Sequence, residues 1–120
     1  MEIHGKERKF MLTVGAAIEI AALCPDGDIR KVGEIIGGTN AFGKMSTLTA
    51  DIICALSKGY EQSKAYEENT PIEEPLSRAE VLSLKTEDFI ALRNEAFAAF
   101  IADSAISVEA EQNTKKKLKA

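Results

Sequence analysis

The chain reads as a mainly α (α+β) domain, a small bundle of about five helices led by an N-terminal β-hairpin. Three features predict this. Ile3, Phe10, Leu12 and Val14 alternate with polar residues around Gly5. From Ala16 onward, apolar residues recur at helical spacing. Ser77 and Thr86 each carry the signature of a helix start.

The hairpin turns at His4, Gly5 and Lys6, where glycine takes a positive φ without steric cost. Two strands alone are marginal in water. Their apolar face must therefore pack on a helix or extend through a strand of another chain, which makes Ile3, Phe10 and Leu12 candidates for an oligomer edge. After Gly15, the residues Ala16, Ala17, Ile20, Ala21 and Leu23 form a helical stripe. It is predicted to stop at Cys24, because Pro25 disfavours helix in the residue before it and Asp26-Gly27 favours a turn.

Asp28 can cap a second helix through Ile29, Val32, Ile35 and Ile36, closed by Gly37 and Gly38. Ser46 or Thr47 can cap a third, in which Leu48, Ile52, Ile53, Ala55, Leu56 and Tyr60 keep helical spacing before a polar stretch begins at Glu61. Residues 69–75 read as a loop. Ser77 and Glu80 then spell a capping box, in which each side chain satisfies a free backbone donor, ahead of Val81, Leu82 and Leu84. Thr86, Glu87 and Asp88 open the last helix with a capping hydroxyl and two acids over the positive end of the helix dipole. Phe89, Ile90, Leu92, Phe97, Phe100 and Ile101 line its apolar side. Beyond Val108 apolar spacing lapses. The expected organisation is one domain over residues 1–108, with the hairpin in 1–14 and the bundle in 15–108, followed by a charged flexible tail over 109–120.

Length and composition bound the function. At 120 residues and 45% hydrophobic, the chain suits a single folded domain. A net charge of -4 and a pI near 5.1 give no overall attraction to phosphate, so nucleic acid is not an expected partner. Cys24 and Cys54 lie far apart with no companion cysteine or histidine, which reads as two reduced thiols rather than a zinc cluster or redox pair. No basic start leads into a signal-like apolar run, and no stretch approaches the roughly 18 apolar residues of a membrane helix, so a cytoplasmic protein is expected.

The chemistry-bearing residues read as solvated or structural. His4 has no serine or cysteine near it in sequence to activate. Asp26-Gly27-Asp28 lacks the register of a calcium loop, and Gly43-Lys44-Met45-Ser46 falls short of a phosphate cradle. Glu67-Glu68 and Glu73-Glu74 are adjacent acids whose side chains point apart. No enzyme, cofactor or metal is expected. The phenylalanines of the last helix suit a core, and that helix also offers the candidate partner-binding residues Phe89, Leu92, Phe97, Phe100 and Ile101.

The opening residues from Ile3 to Ala16, the run of short helices, and Leu76-Ser77-Arg78-Ala79-Glu80 leading to Thr86-Glu87-Asp88-Phe89 resemble the tail assembly chaperones of long-tailed phages and prophages. The resemblance covers most of the chain and rests on layout and loose motifs. It implies a non-enzymatic protein of the bacterial host cytosol that binds the tape measure protein and keeps it soluble before the tail tube polymerises. It also implies a frameshift-extended form of the same protein, a position that Lys115-Lys116-Lys117 fits. Homo-oligomers through the hairpin edge are a further expectation. Two other readings are a structural phage component such as a head-tail connector and a small helical nucleic-acid-binding regulator. The second is disfavoured because residues 47–57 contain no Lys or Arg and one acid, Asp51.

Overall fold

The computed structural model describes the backbone of residues 1–36 and 42–119, and the side chains of residues 1–35 and 43–104. It is mainly α, with the hairpin at its N-terminus. The elements are β1 (Glu2–Ile3), β2 (Lys6–Glu7), α1 (Val14–Leu23), α2 (Val32–Ile36), α3 (Phe42–Glu68), α4 (Arg78–Leu82) and α5 (Thr86–Lys119). Two single 3-10 turns, Pro25–Gly27 and Ile29–Lys31, join α1 to α2.

The hairpin is shorter than its alternation predicts. β1 and β2 pair Glu2 with Glu7 and Ile3 with Lys6, and a final bond from the Arg8 N–H to the Met1 carbonyl closes the ladder at 2.9 Å. After Arg8 the chain leaves the ladder. The turn residues His4 and Gly5 both have positive φ, 51° and 82°, as a tight two-residue hairpin of this hand requires. The chain then runs extended onto the helices: the Met11 N–H donates to the Leu56 carbonyl at 3.1 Å and the Leu12 N–H to an Asp103 carboxylate oxygen at 2.8 Å. Val14, expected on the hairpin's apolar face, is instead the first residue of α1.

Helix starts follow local chemistry. Thr13 caps α1 by accepting the Ala16 N–H, and Asp28 caps the second 3-10 turn by accepting the Arg30 N–H at 3.0 Å. The predicted capping box at α4 is complete, with the Ser77 hydroxyl accepting the Glu80 N–H and the Glu80 carboxylate accepting the Ser77 N–H, both at 3.2 Å. At α5 the Lys85 carbonyl accepts the Phe89 N–H, so the helix begins one residue earlier than a Thr86 cap would place it. α5 then continues through Lys119, past the point where apolar spacing lapses. The closure of α2 at Gly37 and Gly38 lies outside the described residues.

α3 is the spine. It starts at Phe42, before the predicted cap, and keeps its helical course through the polar stretch to Glu68, where Glu61 and Ala65 are buried. Ile52, Ile53 and Leu56 of α3, Ile20 of α1, Val81 of α4 and Leu92 of α5 are all at or below 1% exposure and form one core with Ile3, Cys24, Val32, Ile35, Leu76 and Phe100. Each such aliphatic side chain contributes on the order of 1.5–3 kcal/mol by leaving water. Two polar groups tie connections into this core. The buried Ser57 hydroxyl accepts the Leu76 N–H at 3.0 Å, and the buried Arg8 guanidinium donates from Nη1 to the Glu74 carbonyl at 2.8 Å while Nη2 lies 3.8 Å from Glu80.

Gly59 sets how closely the N-terminal segment approaches α3. A Cβ there would stand 2.5 Å from the Met11 carbonyl oxygen, 2.9 Å from the Thr13 hydroxyl and 3.3 Å from the Ala16 Cβ. Glycine inside a helix costs about 1 kcal/mol relative to alanine, so helix propensity alone favours replacing it. The contact reverses that sign: Gly59→Ala should lower the urea-unfolding free energy by about 1–3 kcal/mol through overpacking against backbone. Gly33→Ala, where nothing lies within 4 Å, should be neutral or stabilising by up to about 1 kcal/mol. Equal effects of the two substitutions would contradict this packing.

Candidate functional site

α1 lies along α3, and a trough between them opens toward residues 75–78. α1 is apolar on nearly every side, with Glu19 as its one charged residue. Its inner face, carrying Ala16 and Ile20, is buried. Val14, Ile18 and Ala22, spaced four residues apart, share the outer face, where Val14 is 79% and Ile18 66% exposed. Gly15 and Glu19 follow around the helix and lead into the trough.

The trough holds two hollows. The larger, about 440 Å³, has a floor of Ala22, Leu23, Cys54, Ala55 and Leu76. The smaller, about 240 Å³, lies beside Gly15, Ala16 and Gly59. Both are bordered by Glu19, Ala55 and Lys58, and the ion pair from Lys58 Nζ to Glu19 Oε1, 2.9 Å long, spans the trough between them. At the far rim, Arg78 grips Asp51 with both Nε and Nη2, at 2.7 and 2.6 Å. This fork fixes α4 against α3. Arg78 is 55% exposed and Asp51 21%, so the rim shows solvent more cation than anion.

Cys54 sits on the trough floor. Burial, reinforced by the Asp51 and Glu80 carboxylates, pushes its thiol up to about 11, and the nearby Arg78 charge acts in the opposite direction. This is an inert thiol rather than a nucleophile. Cys24 is buried in the core and burial likewise raises its thiol.

The sequence-predicted binding residues divide. Leu92 and Phe100 are core, at 0% and 9% exposure. Phe89 and Phe97 are half-buried against that core, and Phe97 stacks on Phe100 with ring centres 5.9 Å apart. Ile101 remains 52% exposed. Phe89 also borders an apolar hollow of about 200 Å³ with Val81, Leu82 and Leu84. The three hairpin residues point inward: Ile3 is buried, and Phe10 and Leu12 pack partly buried against the core, so their side chains are spent on this chain's own fold. Sequence reading missed Val14 and Ile18. The available signal was the near-absence of polar residues between Val14 and Leu23, which marks a helix apolar all round rather than on one stripe.

Folding brings together one pair that sequence distance concealed. Nε2 of His4 lies 3.4 Å from the Ser83 hydroxyl, which donates to the Glu80 carbonyl at 2.7 Å. That hydroxyl is spent on the end of α4, and the long imidazole contact does not make it a nucleophile. Asp26 and Asp28 are engaged by Lys31 and Arg30 at 2.9 Å, as a local turn. Among the described residues, no group of three or more His, Cys, Asp or Glu is placed to hold a metal ion, and no helix is long and apolar enough to cross a membrane.

In a Cys24→Ala chain, the alkylation rate of Cys54 by iodoacetamide should keep rising as pH passes 9.0, the ordinary thiol value, toward about 11. Arg78→Gln should move that profile further upward by removing the charge that favours the thiolate. A plateau near 9.0 would show an open, unperturbed thiol and contradict the buried floor.

Comparison with protein-family models, with curated proteins and with solved structures finds no match for this chain.

Proposed function

We propose that this chain is a tail assembly chaperone of a phage or prophage, working in the bacterial cytoplasm, that binds the tape measure protein and keeps it soluble during tail morphogenesis. The observation that carries the reading is α1. A helix with a single charged residue has the composition of an interior element, yet Val14 and Ile18 stand in water while the core beneath them is complete without them. Large apolar side chains held out on a folded scaffold suit the capture of another protein's apolar helices. Ile90 and Ile101 of α5, 40% and 52% exposed, extend the apolar surface available for contact. The resemblance of the hairpin and helix layout to tail assembly chaperones supplies the identity of the partner.

Co-expression with the tape measure protein tests the proposal. That protein should be soluble with this chain and aggregate without it. Ile18→Lys should reduce its soluble fraction several-fold while leaving this chain's own stability within about 0.5 kcal/mol, since an exposed side chain supports little of the fold. Solubility that does not depend on this chain would overturn the reading, and recovery of the chain in finished particles would favour a head-tail connector.

A further inference from the structure

We propose that the α1–α3 trough seats an amphipathic helix of another protein, with apolar side chains in the two hollows on either side of the Glu19–Lys58 pair and an acidic residue set against Arg78. This rests on the chaperone reading only in taking a helical protein as the partner. It adds the seat and the chemistry of the segment that fills it.

Three observations converge. The outer face of α1 and the trough are continuous, because Val14, Ile18 and Ala22 lead around the helix through Gly15 and Glu19 to the edge of the hollows. The volume and lining suit side chains of this kind: about 440 Å³ over Ala22, Leu23, Cys54, Ala55 and Leu76 falls within the range of occupied protein pockets, roughly 300–1,000 Å³. The rim specifies charge. Asp51 occupies Nε and Nη2 of Arg78, which leaves Nη1 outside that pair on a side chain 55% exposed, whereas Asp51 itself is 21% exposed. The Glu19–Lys58 pair on the same border is balanced, 46% and 47% exposed, so Arg78 carries the excess exposed cation that favours an arriving carboxylate over an ammonium.

A second copy of this chain fits less well. α1 has ten residues, about 15 Å of helix, and a two-fold pairing along Val14, Ile18 and Ala22 engages no residue of the smaller hollow. Ten residues are fewer than the roughly 20–30 a side of a specific interface of standard size. A longer helix laid in the trough covers the stripe and fills the hollows together.

The test uses the full chain carrying Cys24→Ala, so that Cys54 alone reports on the trough floor. The probes are two synthetic helical peptides of about 18 residues, roughly 27 Å long, sharing one leucine stripe at i, i+3, i+4 and i+7 and flanked either by glutamates or by lysines. Fluorescence anisotropy should show the glutamate-flanked peptide binding about tenfold more tightly, and its saturation should slow Cys54 alkylation about tenfold. Arg78→Glu should invert the preference. Because that change also breaks the Asp51 fork, Ala22→Trp serves as a second variant. Ala22 is exposed and lines the larger hollow, so a neutral ring there should occupy the hollow and abolish binding of the glutamate peptide with unchanged circular dichroism.

Absence of binding by either peptide, equal affinities, or binding that leaves Cys54 alkylation unchanged would each overturn the proposal. Protection of Cys54 by the chain's own concentration-dependent dimerisation would assign the trough to a second copy instead. The peptides carry no phage sequence, so the two readings fail separately. Peptide binding without rescue of the tape measure protein removes the tail-assembly role and keeps the trough, and rescue without peptide binding places the docking surface elsewhere.

Discussion

The segment from Met11 to Ala16 lies on α3 at a point where α3 has no side chain. Gly59 lets the Met11 carbonyl come within a distance that any Cβ would forbid, and the Met11 N–H is satisfied close by at the Leu56 carbonyl. Once residues 11–13 are fixed there, Thr13 is in place to cap α1, and α1 must run along α3 with Ala16 and Ile20 inward. Its outward face follows from that docking. The same contact that buries Ile20 leaves Val14 and Ile18 in water.

The remaining connections hold this arrangement from the other side. The Ser57 hydroxyl anchors Leu76, the capping box starts α4, and the Arg78–Asp51 fork ties α4 back to α3. Arg8 crosses from the end of the hairpin to the Glu74 carbonyl, with its Nε buried and unbonded, so the hairpin is held to the far loop by a guanidinium that is only partly satisfied. The Arg78–Asp51 fork at the rim and Leu76 on the floor, held by Ser57, link the shape of the trough to the fold.

The sequence was most informative where structure is decided by neighbours a few residues apart. The Ser77–Glu80 box, the stop at Cys24-Pro25 and the mainly α class were legible because each depends on local backbone chemistry, whereas Asp28 caps a 3-10 turn over Ile29–Lys31 and the helix expected from it begins only at Val32. Contacts between distant residues were not legible. Nothing local to Gly59 announces Met11, nothing local to His4 announces Ser83, and the polar letters from Glu61 onward conceal a helix whose Glu61 and Ala65 face inward. The hairpin's apolar face was expected to pack on a helix or to extend through another chain's strand, and Ile3, Phe10 and Leu12 meet this chain's own core. The candidate site was the least legible part. α5, with its phenylalanines, drew attention to a face that is largely interior, while the exposed residues of α1 lay in a stretch of small residues whose inward and outward sides differ only by burial.

Site-specific photocrosslinking measures most directly whether this protein acts through the outer face of α1. A benzophenone side chain would replace Ile18 in one chain and Glu87, exposed at the start of α5, in another, each co-expressed with the tape measure protein proposed as partner. The account predicts a covalent product with that protein from position 18 and little or none from position 87. Equal yields from the two positions, or products only with a second copy of this chain, would contradict it.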